Sequence, residues 1–184
     1  MAARIERGDL LVATASLIDP NFAHTVVLLC EHEPAKGSYG LILNRPIVAP
    51  DEVTERLPLA AGRLYQGGPV QIGVVQIMHT FGARIPGALE VVPGLWIGGD
   101  WEEIELGFKA GTLAAEDCRF FLGYSGWGEG QLAQEFATNS WIRAPGTAEL
   151  VLGTEADRLW GAAVRAAGKE NPLFANYPDD PSLN

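Results

Sequence analysis

Phe120-Phe121-Leu122-Gly123-Tyr124-Ser125-Gly126-Trp127-Gly128-Glu129-Gly130-Gln131-Leu132-Ala133-Gln134-Glu135-Phe136 reads as a buried strand, a glycine-rich turn and the start of an amphipathic helix. The strand is expected over residues 120–125. The helix is expected over residues 130–138, with Leu132, Ala133 and Phe136 on one stripe. A turn of this kind lets a ligand approach the backbone closely. It can also leave N–H groups unpaired at a helix N-terminus, which suits an anion. The stretch marks a neighbourhood where a site could be built and names no reaction.

Upstream of it, strand-like runs rich in Val, Leu and Ile cover residues 9–13, 24–30 and 39–43, each bounded by Asp, Pro, Asn or Gly. Residues 33–38 have hairpin-loop composition, so the second and third runs are expected to be antiparallel neighbours. A short helix with a small apolar face is expected over residues 51–57, capped by Asp51 and ended by Pro58. A second set of short strands is expected over residues 63–66, 74–81, 89–92 and 95–98, punctuated by Gly67-Gly68-Pro69, Gly82, Pro86-Gly87 and Pro93-Gly94. Asp100 is placed to cap a helix over residues 101–110. A short strand near residues 141–143 and a helix over residues 155–167 complete the pattern. Strands come first and helices late, without steady strand–helix alternation, so the fold class expected is α+β with a mostly antiparallel, curved sheet.

The 184 residues fit one domain over 1–184, with 171–184 expected as a loosely ordered tail carrying three prolines. The chain holds 13 basic and 23 acidic residues, a formal charge of −10, and its pI is about 4.7. An acidic surface repels phosphate backbones, and the basic residues are scattered without forming a patch, so direct nucleic-acid binding is not expected. The two cysteines, Cys30 and Cys118, sit in apolar runs as free core thiols do, in keeping with a reducing, cytoplasmic setting. Glu6 and Asp9 interrupt a loose imitation of a signal peptide near the N-terminus, and no run approaches the length of a membrane span.

Residue type and spacing bear on three chemistries. Ser125 in Gly123-Tyr124-Ser125-Gly126-Trp127 partly matches a nucleophile elbow, but Trp127 stands where glycine is needed, and His24, His32 and His79 all precede the serine. A hydrolase or transferase using Ser125 or a histidine, with amides near 126–128 as an oxyanion site, is the alternative kept open. Cys30-Glu31-His32-Glu33 offers a thiol and an imidazole two residues apart, yet only Cys118 or His79 could complete a zinc set, so no metal is expected. Neither a P-loop nor a complete G-x-G-x-x-G occurs, and no cofactor is expected.

The motifs at residues 8–13, Asp19-Pro20-Asn21-Phe22, residues 26–32, Tyr39-Gly40-Leu41-Ile42-Leu43-Asn44-Arg45-Pro46, Gly67-Gly68-Pro69-Val70 and residues 123–132, with Asn139-Ser140-Trp141, occur in order along most of the chain. Together they resemble the YqgE/AlgH family of bacterial proteins; Thr14-Ala15 departs from the proline-containing pair expected there. The resemblance implies a bifurcated sheet, partly closed into a barrel and flanked by helices, in a cytoplasmic bacterial protein. It carries the label of transcriptional regulator but implies no catalytic residues. A basic recognition helix is absent from the sequence, and the expected 130–138 helix holds no Lys or Arg.

A non-enzymatic binding or regulatory protein, contacting a protein partner or a small ligand, is therefore the leading expectation. Its site would be lined by Asn44, Arg45, Gly67, Gly68, Pro69, Ser125, Gly126, Trp127 and Gln131, where glycine, proline and uncharged polar groups cluster. The competing account of the same glycines is that they only permit tight turns in a curved sheet.

Overall fold

A computed structural model describes residues 4–168. The 171–184 segment lies outside the described residues. In chain order the strands and α-helices are β1 (Asp9–Ala13), β2 (Val26–Glu33), β3 (Gly37–Ile42), α1 (Asp51–Arg56), β4 (Leu64–Gln66), β5 (Val70–His79), β6 (Leu89–Val92), β7 (Leu95–Ile97), α2 (Trp101–Lys109), β8 (Cys118–Trp127), α3 (Gln131–Ala137), β9 (Trp141–Pro145), α4 (Ala148–Gly153) and α5 (Ala156–Ala166). The fold is α+β. Its nine strands form one sheet in the order β6-β7-β5-β8-β3-β2-β1-β9, curved into an open half-barrel, with β4 lying against β8 off that path. Every pairing is antiparallel except β4 with β8.

Burial explains why the first strands read as unbroken apolar runs. Leu10 and Val12 of β1, Leu28 of β2 and Leu41 of β3 point into one core. Leu11, Ala13, Val27, Leu29 and Ile42 from the same strands point into a second core on the opposite face. Strands covered on both faces need apolar residues at every position rather than at alternate ones. α5 covers the first of these cores with Leu159, Trp160, Ala163 and Val164, while α3 covers the second with Leu132 and Phe136. A third core, built on Ile77, Phe81, Ile104 and Phe120, lies beneath α1 and α2. Truncating any of the fully buried leucines to alanine would cost about 2–5 kcal/mol.

β8 serves all three cores by changing parity partway along. Phe120 belongs to the third core and Phe121 to the first. Regular alternation would carry residue 123 to the first core, yet Tyr124 packs there instead and Trp127 faces the second. The shift occurs at Gly123, whose φ of +67° is costly for any residue with a Cβ. Opposite it, residues 71–74 of β5 leave the ladder between the Val70–Tyr124 and Val75–Leu122 pairs, with Gln71 also left-handed at φ +49°. This double irregularity, residues 71–74 against residue 123, is a special bulge at the point where the sheet divides.

The strand expected to end at residue 125 therefore continues through Gly126 and Trp127, because Tyr39 and Ser38 of β3 pair with that extension. The glycine-rich turn shrinks to residues 128–130. Asp51 does not cap α1: Pro50 holds the cap position and no side chain caps the helix. Asp100 does cap α2, accepting from the Glu102 and Glu103 amides at 2.9 and 3.1 Å. Sequence reasoning missed α4, which Thr147 caps by accepting from Leu150 N at 3.1 Å.

Candidate functional site

The segments around Asn44-Arg45, Gly67-Gly68 and Ser125-Gly126 meet where the sheet forks. β3 lies beside the end of β8 and then diverges, and β4 enters the gap. Gly67 sits in the crotch. Its amide donates to Leu122 O at 2.8 Å, and its carbonyl accepts both Ile42 N at 2.9 Å and the Ser125 hydroxyl at 3.1 Å. Main chain fills the junction: a Cβ on Gly67 would run into the Gly123 carbonyl, and one on Gly68 into the Tyr124–Ser125 peptide. Pro69, by contrast, is exposed.

The side chains of Asn44 and Arg45 are turned onto the loop between β1 and β2. Asn44 accepts from Val26 N at 2.9 Å and donates to His24 O at 3.0 Å. Arg45 donates to three carbonyls of the same loop, those of Asn21, Pro20 and Ala23, at 2.6, 3.0 and 3.2 Å. This grip sets Phe22 against two indoles, with ring centroids 6.0 Å from Trp127 and 5.7 Å from Trp141. Both indole N–H groups donate to one carboxylate oxygen of Glu135, at 2.9 and 2.7 Å, and Gln131 donates to the other oxygen at 2.9 Å. Gln131 also accepts from Gly128 N at 3.0 Å, so this amide before α3 is already partnered. Four of the expected residues, Asn44, Arg45, Trp127 and Gln131, thus belong to one chain of contacts through the Pro20–Thr25 loop, with their polar groups paired internally.

Ser125 and the three histidines all have partners within the fold. Ser125 is fully buried and its hydroxyl is committed to Gly67 O. His32 bonds Ser38 at 2.7 Å, and His24 stacks on Trp160 with centroids 4.4 Å apart. His79, fully buried, faces Gly98 O at 3.0 Å through Nε2 and accepts from Phe81 N at 3.2 Å through Nδ1. That pairing fixes the neutral tautomer, and burial lowers the imidazole pKa below its usual value. Both thiols are buried and inert. Burial pushes Cys118 up to about 12 and raises Cys30 further still. Cys30 and His32 do not assemble a ligand set, and among the described residues no group of three or more His, Cys, Asp or Glu is placed to hold a metal ion.

Two of the hollows that border these elements adjoin the expected residues or the excursion of β5. One, of about 520 Å³ and mixed polar and apolar lining, is formed by Tyr39, Tyr124, Glu31, Glu33 and the expected residues Gly126 and Trp127. The other, an apolar trough of about 660 Å³, lies between α1, α2 and the 71–74 excursion of β5, floored by Val53, Leu57, Val75, Trp101 and Leu122. Ile72 stands at its lip, 68% exposed, with Val74 two residues further along the chain at 46%. α1 is a loosely fastened wall: it buries no residue fully and packs on the third core through Val53, with Leu57 just beyond its end. Sequence reasoning missed the trough. The available signal was an isoleucine inside an apparent loop, Gln71-Ile72-Gly73, together with the small apolar face of the 51–57 helix.

The geometry is that of a forked half-barrel whose glycines are taken up by its own seam, beside an open apolar trough. The AlgH-like family model matches residues 10–172. The chain is 43% identical over 188 residues to a UPF0301 protein of Chlorobaculum tepidum, covering 98% of this chain and 96% of the relative. A UPF0301 protein of Chlorobium luteolum is 42% identical over 189 residues, covering 98% and 96%. Two solved structures share the architecture at 28% identity. The solution structure of the AlgH protein from Pseudomonas aeruginosa has a TM-score of 0.72 and 97% coverage of both chains, and a crystal structure of a Corynebacterium diphtheriae protein has a TM-score of 0.73 with 95% and 93% coverage. The chain belongs to the AlgH-like, UPF0301 family. Among the described residues no helix is long and apolar enough to cross a membrane.

Proposed function

We propose that this chain is a non-enzymatic, cytoplasmic binding protein that regulates by protein contact, and that the α1–α2–β5 trough is its contact surface. The observation that supports this is the exposure of Ile72 at the edge of an apolar-floored trough of about 660 Å³, with Val74 exposed two residues further along. Large apolar side chains held out on a loop-like excursion gain nothing from folding, and clustered exposure of this kind marks interaction surfaces. In this reading Asn44, Arg45, Gly67, Gly68, Ser125, Trp127 and Gln131 are the frame. They fix the fork that throws residues 71–74 outward, while Pro69 and Gly126 lie at the exposed margin.

The test is site-specific photo-cross-linking in the protein's own host cells, with the reactive side chain at position 72 and, as control, at exposed Glu129 on the β8–α3 turn. A discrete partner captured at 72 and absent at 129, and lost when Val74 becomes Asp, is the expected result. Identical capture at both positions would remove the trough as the contact surface.

A further inference from the structure

We infer that the trough's partner is a polypeptide segment whose apolar face is flanked by lysine or arginine, resting on the protein-contact reading above. The apolar part follows from shape. A small molecule filling the space over Val53, Leu57 and Leu122 would leave Ile72 uncovered at the lip. An amphipathic helix or extended segment laid along the trough covers floor and lip together, in the helix-in-groove manner.

The basic part follows from charge. Glu52 lines the trough from α1 and Glu105 from α2, with Arg56 the one cation among the lining side chains. The helices behind them repeat the bias. α1 carries Asp51, Glu52 and Glu55 against Arg56, and α2 carries Glu102, Glu103 and Glu105 against Lys109. Lys109 sits 3.5 Å from Glu105 as an exposed i,i+4 pair, which leaves that carboxylate open to a second cation in a high-dielectric setting. A second copy of this chain is the wrong occupant, because two such faces in register would set carboxylates against carboxylates, a juxtaposition interfaces avoid. A basic flank meets both acidic helices.

Two short synthetic amphipathic peptides with the same leucine face, one flanked by lysine and one by glutamate, test this on the full chain, with Trp101 in the trough floor as the fluorescent reporter. The lysine peptide is expected to bind roughly tenfold tighter or better, and added salt should weaken it selectively. The Glu52→Lys/Glu105→Lys double variant, changed only at exposed positions, should lose that preference. Ile72→Asp/Val74→Asp should lose both peptides while retaining its circular dichroism spectrum. Equal affinity for the two peptides overturns the charge selection and leaves protein contact standing. No binding by either, with position 72 still capturing a partner in cells, overturns the amphipathic segment alone; failure of that capture overturns the reading beneath it. Sedimentation showing a dimer that Ile72→Asp dissociates would make a second copy the occupant and overturn the inference.

Discussion

The fork and the trough lie next to each other and are built on opposite terms. At the fork, polar groups are spent on the protein itself: Gly67 O accepts twice, Arg45 grips three carbonyls and Glu135 receives two indoles and an amide. At the trough, apolar groups are left unspent, and the wall helix α1 has neither a side-chain cap nor a fully buried residue. Sequence conspicuousness tracked the first region. The second, which holds Ile72 out to solvent, gave only a faint signal.

The sharpest way to break this contrast is at Gly123. A Cβ there would lie 2.6 Å from Gly68 O and 2.8 Å from Val70 O in addition to the left-handed φ, so Gly123→Val should cost about 3 kcal/mol or more and in practice abolish folding. Stability by urea unfolding checks it, and a mild effect would mean the fork is softer than its geometry indicates.

Next come the clamps. Arg45→Ala frees three loop carbonyls and should cost about 2 kcal/mol, with Arg45→Lys recovering part of that. Glu135→Ala strands the N–H groups of Trp127 and Trp141 and should cost about 2 kcal/mol, read as a lowered midpoint together with a changed tryptophan emission.

Acid sets a smaller effect. Burial lowers the pKa values of His79 and His24 in the folded chain, so below about pH 6.5 the unfolded chain binds protons that the folded chain refuses. Stability should therefore fall as pH drops from 6.5, with a slope of at most about 1.4 kcal/mol per pH unit for buried His79 and a much smaller one for exposed His24, which solvent screens. Above that pH both forms are neutral and the contribution is flat. Unfolding midpoints from pH 7.5 to 5 check the slope, and His79→Gln should reduce it.

The smallest effect belongs to the trough. Ile72→Asp, at an exposed position outside the cores, should change stability by no more than about 0.5 kcal/mol while eliminating partner capture. A large loss of stability there would show Ile72 to be structural and would dissolve the distinction between the two regions.

Much of the frame could be read from composition and punctuation. β1 and β6 fall on the expected residues, and Asp100 caps α2 as its position before Trp101 implies. The resemblance carried the forked sheet. Local reasoning failed where partners distant in sequence decide the outcome. Gly126 and Trp127 read as turn because glycine is frequent there, yet pairing with Ser38 and Tyr39 holds them in a strand. Thr147-Ala148-Glu149-Leu150 carried a legible cap for α4, but its six residues show too little periodicity to stand out. Of the candidate site, the meeting of residues 44–45, 67–68 and 125 was legible as clustering of small and polar groups. That main chain would fill the meeting point was not, since a glycine conserves space equally for a ligand or for another strand.

Gly123 and the excursion facing it have a consequence for how this molecule can vary. A Cβ at residue 123 would come within 3.3 Å of the Ile72 Cα, so the kink that divides the sheet is also what levers that isoleucine out of it. Scaffold and exposed side chain are cut from a single joint: a lineage that straightened β8 would redraw the rim of the trough in the same step.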